Sequence, residues 1–226
     1  MNNKSYNIVQ SNNYSYQKYT EKIMKFLSYD NRELNYQNSV IKPLLEQLYV
    51  NRPSISVVDV STQYKNWNNR SWHDRLKYAV QHTPDILVAT NWNIRNKGKG
   101  DIEYLLLIEV KSPTASDRKH AVAEVEEYLT LVSNVILTDG ITWEFYNRDK
   151  NNEIEFFYLE KNCKRVCEQK NIMNMQWKTS VKILSDFLVN ELNFPPVTNG
   201  DSPDEWTKLC DKLKVIGKRQ IICVYY

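Results

Sequence analysis

The stretch Tyr104-Leu105-Leu106-Leu107-Ile108-Glu109-Val110-Lys111-Ser112-Pro113 decides how this chain is read. Tyr104 to Val110 is an almost continuous apolar run, which predicts a central β-strand covered on both faces. Glu109 breaks the pattern near the strand's end. Strand side chains alternate, so Glu109 and Lys111 share one face and Val110 takes the other. A carboxylate and an ammonium at the end of a buried strand are expensive to desolvate unless something uses them.

Working outward, His82-Thr83-Pro84-Asp85-Ile86-Leu87-Val88 places an acid at the entry of a second apolar strand, 85–90, and Ser54 to Val60 reads as a third. Residues 117–132 carry Ala121, Val125, Tyr128, Leu129 and Val132 at helical spacing. Two strands follow, 135–137 and 141–146, joined by the turn signature Thr138-Asp139-Gly140, and then a last strand at 153–159. Upstream, 35–49 has the period of a helix with one buried face, interrupted by Pro43, which predicts a kink or break. The order is that of an α/β layered fold: a central mixed β-sheet flanked by helices, with the 117–132 helix crossing between parallel neighbours. Three regions are expected: an N-terminal extension with a helix (1–30), the core (31–160) and a helical C-terminal appendage (161–226). In the appendage 180–192 and 204–216 show helical periodicity, the second opening with Ser202-Pro203-Asp204-Glu205.

The chain has 226 residues, 42% hydrophobic and 25% charged, the composition of a globular domain with a substantial core. Its 30 Lys+Arg against 27 Asp+Glu leave a net charge of only +3, which excludes nucleic-acid binding by bulk positive charge. No apolar run approaches the ~20 residues of a membrane span and the start is polar, so a cytoplasmic protein that binds no membrane is expected. Four cysteines are read as reduced thiols. Cys163-x3-Cys167 lacks the second close pair that a zinc site needs.

Asp85 beside Glu109 and Lys111 brings two carboxylates next to one lysine. Such an oxygen-donor set suits a hard divalent cation, Mg²⁺ or Mn²⁺, with water completing its shell. The cation polarises a phosphoryl oxygen and the lysine stabilises developing negative charge, so the implied reaction is phosphodiester hydrolysis. Glu-x-Lys alone is a short pattern, with a second copy at Glu168-Gln169-Lys170, and a metal-free salt bridge accounts for 109–111 taken singly. What singles the site out is its pairing with an acid at a strand start 24 residues earlier.

Pro84-Asp85 with Glu109-Val110-Lys111 resembles the PD-(D/E)xK nuclease superfamily. With Glu33-Leu34-Asn35, the helix Ile41-Lys42-Pro43-Leu44-Leu45-Glu46-Gln47-Leu48, Glu124-x3-Tyr128 and Leu137-Thr138-Asp139-Gly140-Ile141-Thr142-Trp143-Glu144-Phe145-Tyr146, residues 30–160 are similar to the nuclease domain of type I restriction motor subunits and its stand-alone relatives. The resemblance implies a restriction-endonuclease-like fold and a Mg²⁺-dependent DNA endonuclease of restriction, defence or phage type, with Mn²⁺ as a substitute. Carried over by position, Asp85 and Glu109 are metal ligands and Lys111 the catalytic lysine. The Val110 carbonyl faces the metal, and Glu33 completes or supports the site. Glu33 also reads as an exposed acid in a helix first turn. Glu124 stands where related domains carry Gln, and as an acid it contacts the lysine or the water.

The chain has no Gly-x4-Gly-Lys-Ser/Thr sequence and so no motor of its own. Double-stranded DNA is the expected partner, with a second copy or a separate motor or specificity partner. Arg70 on the basic and aromatic stretch 65–77, Lys97 and Lys99 on 91–100, and Arg118 and Lys119 after the motif strand are the candidate DNA contacts, alongside Trp67, Trp72 and Trp92. A solvated loop with its aromatics turned into the core is the competing reading of these loops. Two alternatives to the endonuclease remain: an inactive nuclease-like DNA-binding or partner-binding module, and a structure-specific nuclease for junctions or flaps.

Overall fold

A computed structural model describes residues 14–29, 32–61, 82–92, 102–113, 118–150, 153–160 and 192–216. Helix α1 (Tyr16–Tyr29) leads to α2 (Glu33–Tyr36), a π-helical turn (Gln37–Ile41) and α3 (Lys42–Leu48). Three strands follow, β1 (Ile55–Asp59), β2 (Ile86–Thr90) and β3 (Glu103–Val110), then helix α4 (Arg118–Leu129). Strands β4 (Asn134–Thr138), β5 (Thr142–Asn147) and β6 (Ile154–Tyr158) precede helix α5 (Asp204–Ile216). The α/β class and the flanked mixed sheet expected from the sequence are what the structure has.

The six strands lie side by side in chain order. Every neighbouring pair is antiparallel except β3 and β4, which run parallel. Parallel neighbours cannot be joined by a tight turn, and α4 is the crossover that joins them. One sheet face, with Ile86, Val88, Leu106, Ile108, Trp143 and Phe157, packs into a cluster with α1, α3 and α5. The other face, with Leu87, Leu107, Val135 and Leu137, packs on Ala121, Val125 and Tyr128 of α4. Leu105 to Ile108 are all buried, and each such aliphatic side chain contributes about 1.5–3 kcal/mol.

The phase of β3 changes partway along it. Val88 faces Leu106 while Ala89 faces Tyr104, so Leu105 is an extra residue. Leu105 and Leu106 accordingly join the same cluster, as a β-bulge requires. From Leu106 onward alternation is regular. It sends Leu107 to the α4 side and Ile108 and Val110 to the opposite side, which leaves Glu109 facing α4.

The break expected at Pro43 is a π-turn just before it. Pro43 has no N–H to give the carbonyl of Ser39, four residues back, and Lys22 Nζ donates to that carbonyl instead at 3.1 Å. The Thr138-Asp139-Gly140 turn is anchored by two buried tyrosines, the Tyr36 hydroxyl donating to the Asp139 carbonyl at 2.8 Å and the Tyr19 hydroxyl to the Gly140 carbonyl at 2.7 Å. Gly140 adopts φ +78°, a conformation that suits glycine. Helix α5 buries Trp206, Leu209, Leu213 and Ile216 in the same cluster as α1 and α3, and the buried Tyr49 hydroxyl donates to the carbonyl of Leu213 at 2.7 Å. Among the described residues no helix is long and apolar enough to cross a membrane. Residues 180–191 of the helix expected at 180–192 and the Cys163/Cys167 pair lie outside the described residues, and Leu192 is described outside any helix.

Candidate active site

The ends of β2 and β3 converge with α4 and α2. Asp85 immediately precedes β2. Its N–H donates to the Ile108 carbonyl at 3.1 Å, and its carboxylate accepts from the N–H of Val110 at 2.8 Å. Glu109, on the α4 side of β3, accepts from Lys111 Nζ at Oε1 (2.8 Å) and from the Tyr128 hydroxyl at Oε2 (3.2 Å). Glu124 lies one helical turn before Tyr128 on the same face of α4, and its Oε2 is 3.5 Å from Lys111 Nζ. The main-chain N–H of Lys111 donates to the Thr138 carbonyl at 2.9 Å and continues the parallel pairing past the end of β3. Asp85, Glu109, Lys111 and Glu124 are therefore gathered in one place.

Glu33 reaches the same region from the start of α2. Its Oε2 accepts from the N–H of Ser112 at 3.4 Å, so it is not simply a solvated acid at a helix start. Arg118 and Lys119 begin α4, directly after the motif strand. Their side chains, and the whole of Arg70, Lys97 and Lys99, lie outside the described residues. Trp92 packs against the α4-side cluster, in keeping with the reading of that loop's aromatic as core.

Each acid raises the cost of the others. Burial pushes the Asp85 carboxyl up to about 7, and the charges of Glu33 and Asp59 add to the effect, against the Val110 hydrogen bond and Lys111. Burial and then the Asp85 charge push Glu109 up to about 9, with Lys111 opposing. Burial would lower the Lys111 ammonium, but Glu109, Glu33 and Glu124 outweigh it and hold the group charged well above its usual range. The Tyr128 hydroxyl is held protonated, by burial first and then by Glu109 and Glu124, so it stays a donor.

Among the described residues no group of three His, Cys, Asp or Glu side chains gathers as a metal-binding cluster. The acids at the strand ends are a pair, Asp85 and Glu109, both oxygen donors, and Glu33 reaches the nearby N–H of Ser112. Two mutually repelling buried carboxylates fit a hard divalent cation that keeps several waters, and they do not fit a closed zinc centre.

The sequence reading missed four residues here. Gln37, buried in the π-turn, donates through Nε2 to the Asp85 carbonyl at 3.1 Å and to Ser61 Oγ at 3.5 Å. Ser61 Oγ in turn donates to Asp59 Oδ1 at 2.8 Å, and Asn38 Nδ2 donates to Asp59 Oδ2 at 2.9 Å. The one sequence signal for Gln37 is its position four residues after Glu33, on the same helical face.

No protein-family model and no curated protein matches the chain. Among solved structures the chain is similar to the type IIG restriction endonuclease BpuSI, at 19% identity over 70% of this chain and 18% of that one, with a TM-score of 0.33. The chain spans less than a fifth of that protein's length.

Proposed function

We propose that the chain is a Mg²⁺-dependent deoxyribonuclease that hydrolyses phosphodiester bonds in double-stranded DNA. The observation that carries this reading is the contact of Lys111 Nζ with Glu109 at 2.8 Å, next to an Asp85 carboxylate tied to the N–H of Val110 at 2.8 Å. In this reading Asp85 and Glu109 hold the cation, with the Val110 carbonyl and Glu33 completing its surroundings, and Mn²⁺ substitutes. The bound ion supplies Lewis-acid polarisation of a phosphoryl oxygen and a more acidic water. Lys111, kept charged by its acidic neighbours, stabilises negative charge as it develops on the phosphate. Tyr128 fixes the rotamer of Glu109, and Glu124 steadies the ammonium. Arg118, Lys119, Arg70, Lys97 and Lys99 are assigned to phosphate contacts. A second copy, or a separate motor or specificity subunit, supplies the other half of a double-strand cut, and the setting is a cytoplasmic restriction, defence or phage system.

Plasmid DNA incubated with the protein and Mg²⁺ or Mn²⁺ should be nicked or linearised, and Lys111→Ala should abolish this while leaving the protein folded. Cleavage confined to branched substrates would redirect the reading to a junction or flap nuclease. Binding without hydrolysis in every metal would make it a nuclease-like binding module.

A further inference from the structure

Gln37 is 1% exposed and occupies the first position of the π-turn. A buried primary amide must satisfy its donors, and this one donates into the site. One N–H goes to the Asp85 carbonyl and the other to Ser61 Oγ. The Ser61 hydroxyl has its own proton on Asp59, so it can only accept from Gln37, and the hydrogen bonds run in a single sense from the helix to β1. The Asp85 carbonyl also accepts from the N–H of Val60 at 3.0 Å, which fills both of its lone pairs.

The main-chain bonds of Asp85 to Ile108 and Val60 belong to the sheet, as does the Val110 N–H that its carboxylate receives. Gln37 is the contact that comes from the helical layer. On the same helical face, one turn earlier, Glu33 meets the N–H of Ser112 just beyond β3. Between them, Tyr36 is bonded to Asp139 in the β4–β5 turn. One helical stretch thus grips the ends of β2, β3 and β4. A π-turn at such a point widens the helix by one residue and offsets this gripping face from the core face of α3.

We propose that Gln37 is a positioning residue of the cation site, its amide tying α2 and the π-turn to Asp85 so that the Glu33 and Asp85 carboxylates address the same point. The inference rests on the metal-dependent reading above. Supporting groups of this kind set metal affinity through the ligands they orient, and their loss typically weakens binding by about 10–100-fold.

The test is a titration of the 226-residue chain with Mn²⁺, following free Mn²⁺ by electron paramagnetic resonance. Gln37→Met keeps the volume and removes both donors, and Gln37→Asn keeps the amide but withdraws it. At least one of the two should fold and show a half-saturating Mn²⁺ concentration raised about tenfold or more, with cleavage restored by excess Mn²⁺. Tyr49→Phe, which loses a buried hydrogen bond between α3 and α5, should lower stability and leave the Mn²⁺ titration unchanged. Titration of the Gln37 variants like the wild type, or an equal shift in Tyr49→Phe, would overturn the role of Gln37 and leave the metal reading standing. A wild-type protein that takes up no Mn²⁺ would overturn both.

Discussion

The main-chain N–H of Val110 donates to the side-chain carboxylate of Asp85 across 2.8 Å. This bond joins the two motif strands through a side chain just where their ladder ends. It fixes one Asp85 oxygen on the sheet, while the charge of the carboxylate is felt by Glu109 on the same ladder.

Asp85→Asn separates those two functions. The Asn side-chain oxygen can still accept from Val110, so the fold should be kept, while the charge is lost. Unfolding in EDTA at pH 8 should show stability equal to or above the wild type, because a buried charge beside Glu33 and Glu109 is gone. Cleavage should fall by a factor on the order of 100 or more. An Asp85→Asn protein with unchanged cleavage would remove Asp85 from the site.

The raised carboxyls give the cation-free protein a definite pH dependence. A carboxyl whose folded pKa lies above its unfolded value binds more protons in the folded state between the two. Its stabilising contribution is therefore fully present below the unfolded value and is lost as pH rises through the folded one. For Asp85 that loss runs from about 4 to about 7, and for Glu109 it continues to about 9. In EDTA the protein should be less stable at pH 8 than at pH 5 by about 2 kcal/mol or more, and saturating Mg²⁺ should reduce the difference. Equal urea midpoints at the two pH values in EDTA would contradict the mutual repulsion of these acids.

Much of this arrangement is legible in the sequence because it follows from period. The apolar run 104–110 fixes the central strand, alternation places Glu109 and Lys111 together, and the helical spacing of 117–132 supplies the crossover. The Thr138-Asp139-Gly140 signature gives the turn, where Asp139 Oδ1 accepts from the N–H groups of Ile141 and Thr142 and Gly140 takes the positive φ. What the sequence hides depends on distant partners. The bulge at Leu105 arises from a mismatch with β2, since an all-apolar run carries no phase of its own. Gln37 looks like any polar residue of an amphipathic helix until the π-turn faces it onto Asp85. Asp59 reads as the polar end of a strand, and only the sheet order sets it beside the site.

Tyr128→Phe tests the support of Glu109 from α4. The hydroxyl is the donor to Glu109 Oε2, and the ring fills the α4-side cluster, so Phe keeps the packing and removes one bond to a buried carboxyl. Stability should fall by about 1–3 kcal/mol at pH 8, and the rate should fall at saturating DNA more than the DNA affinity does. An unchanged rate with unchanged stability would show that Glu109 is oriented by Lys111 alone.

Gly140→Ala should damage the site from the β4–β5 turn. A Cβ at position 140 would overlap the Tyr36 hydroxyl and lie 3.1 Å from Ile41 Cδ1, at a φ of +78° that alanine rarely adopts. Backbone strain and overlap together should cost about 2–4 kcal/mol. Because Tyr36 lies between Glu33 and Gln37, a displaced ring should also weaken Mn²⁺ binding. Tyr36→Phe alone forfeits the bond to Asp139, at about 1 kcal/mol. In the double variant the hydroxyl that collides with the new Cβ is absent, so the combined loss should fall short of the sum by about 1 kcal/mol, measured by urea denaturation of all four proteins. Strict additivity would locate the whole cost in the backbone and leave Tyr36 out of the coupling between this turn and α2.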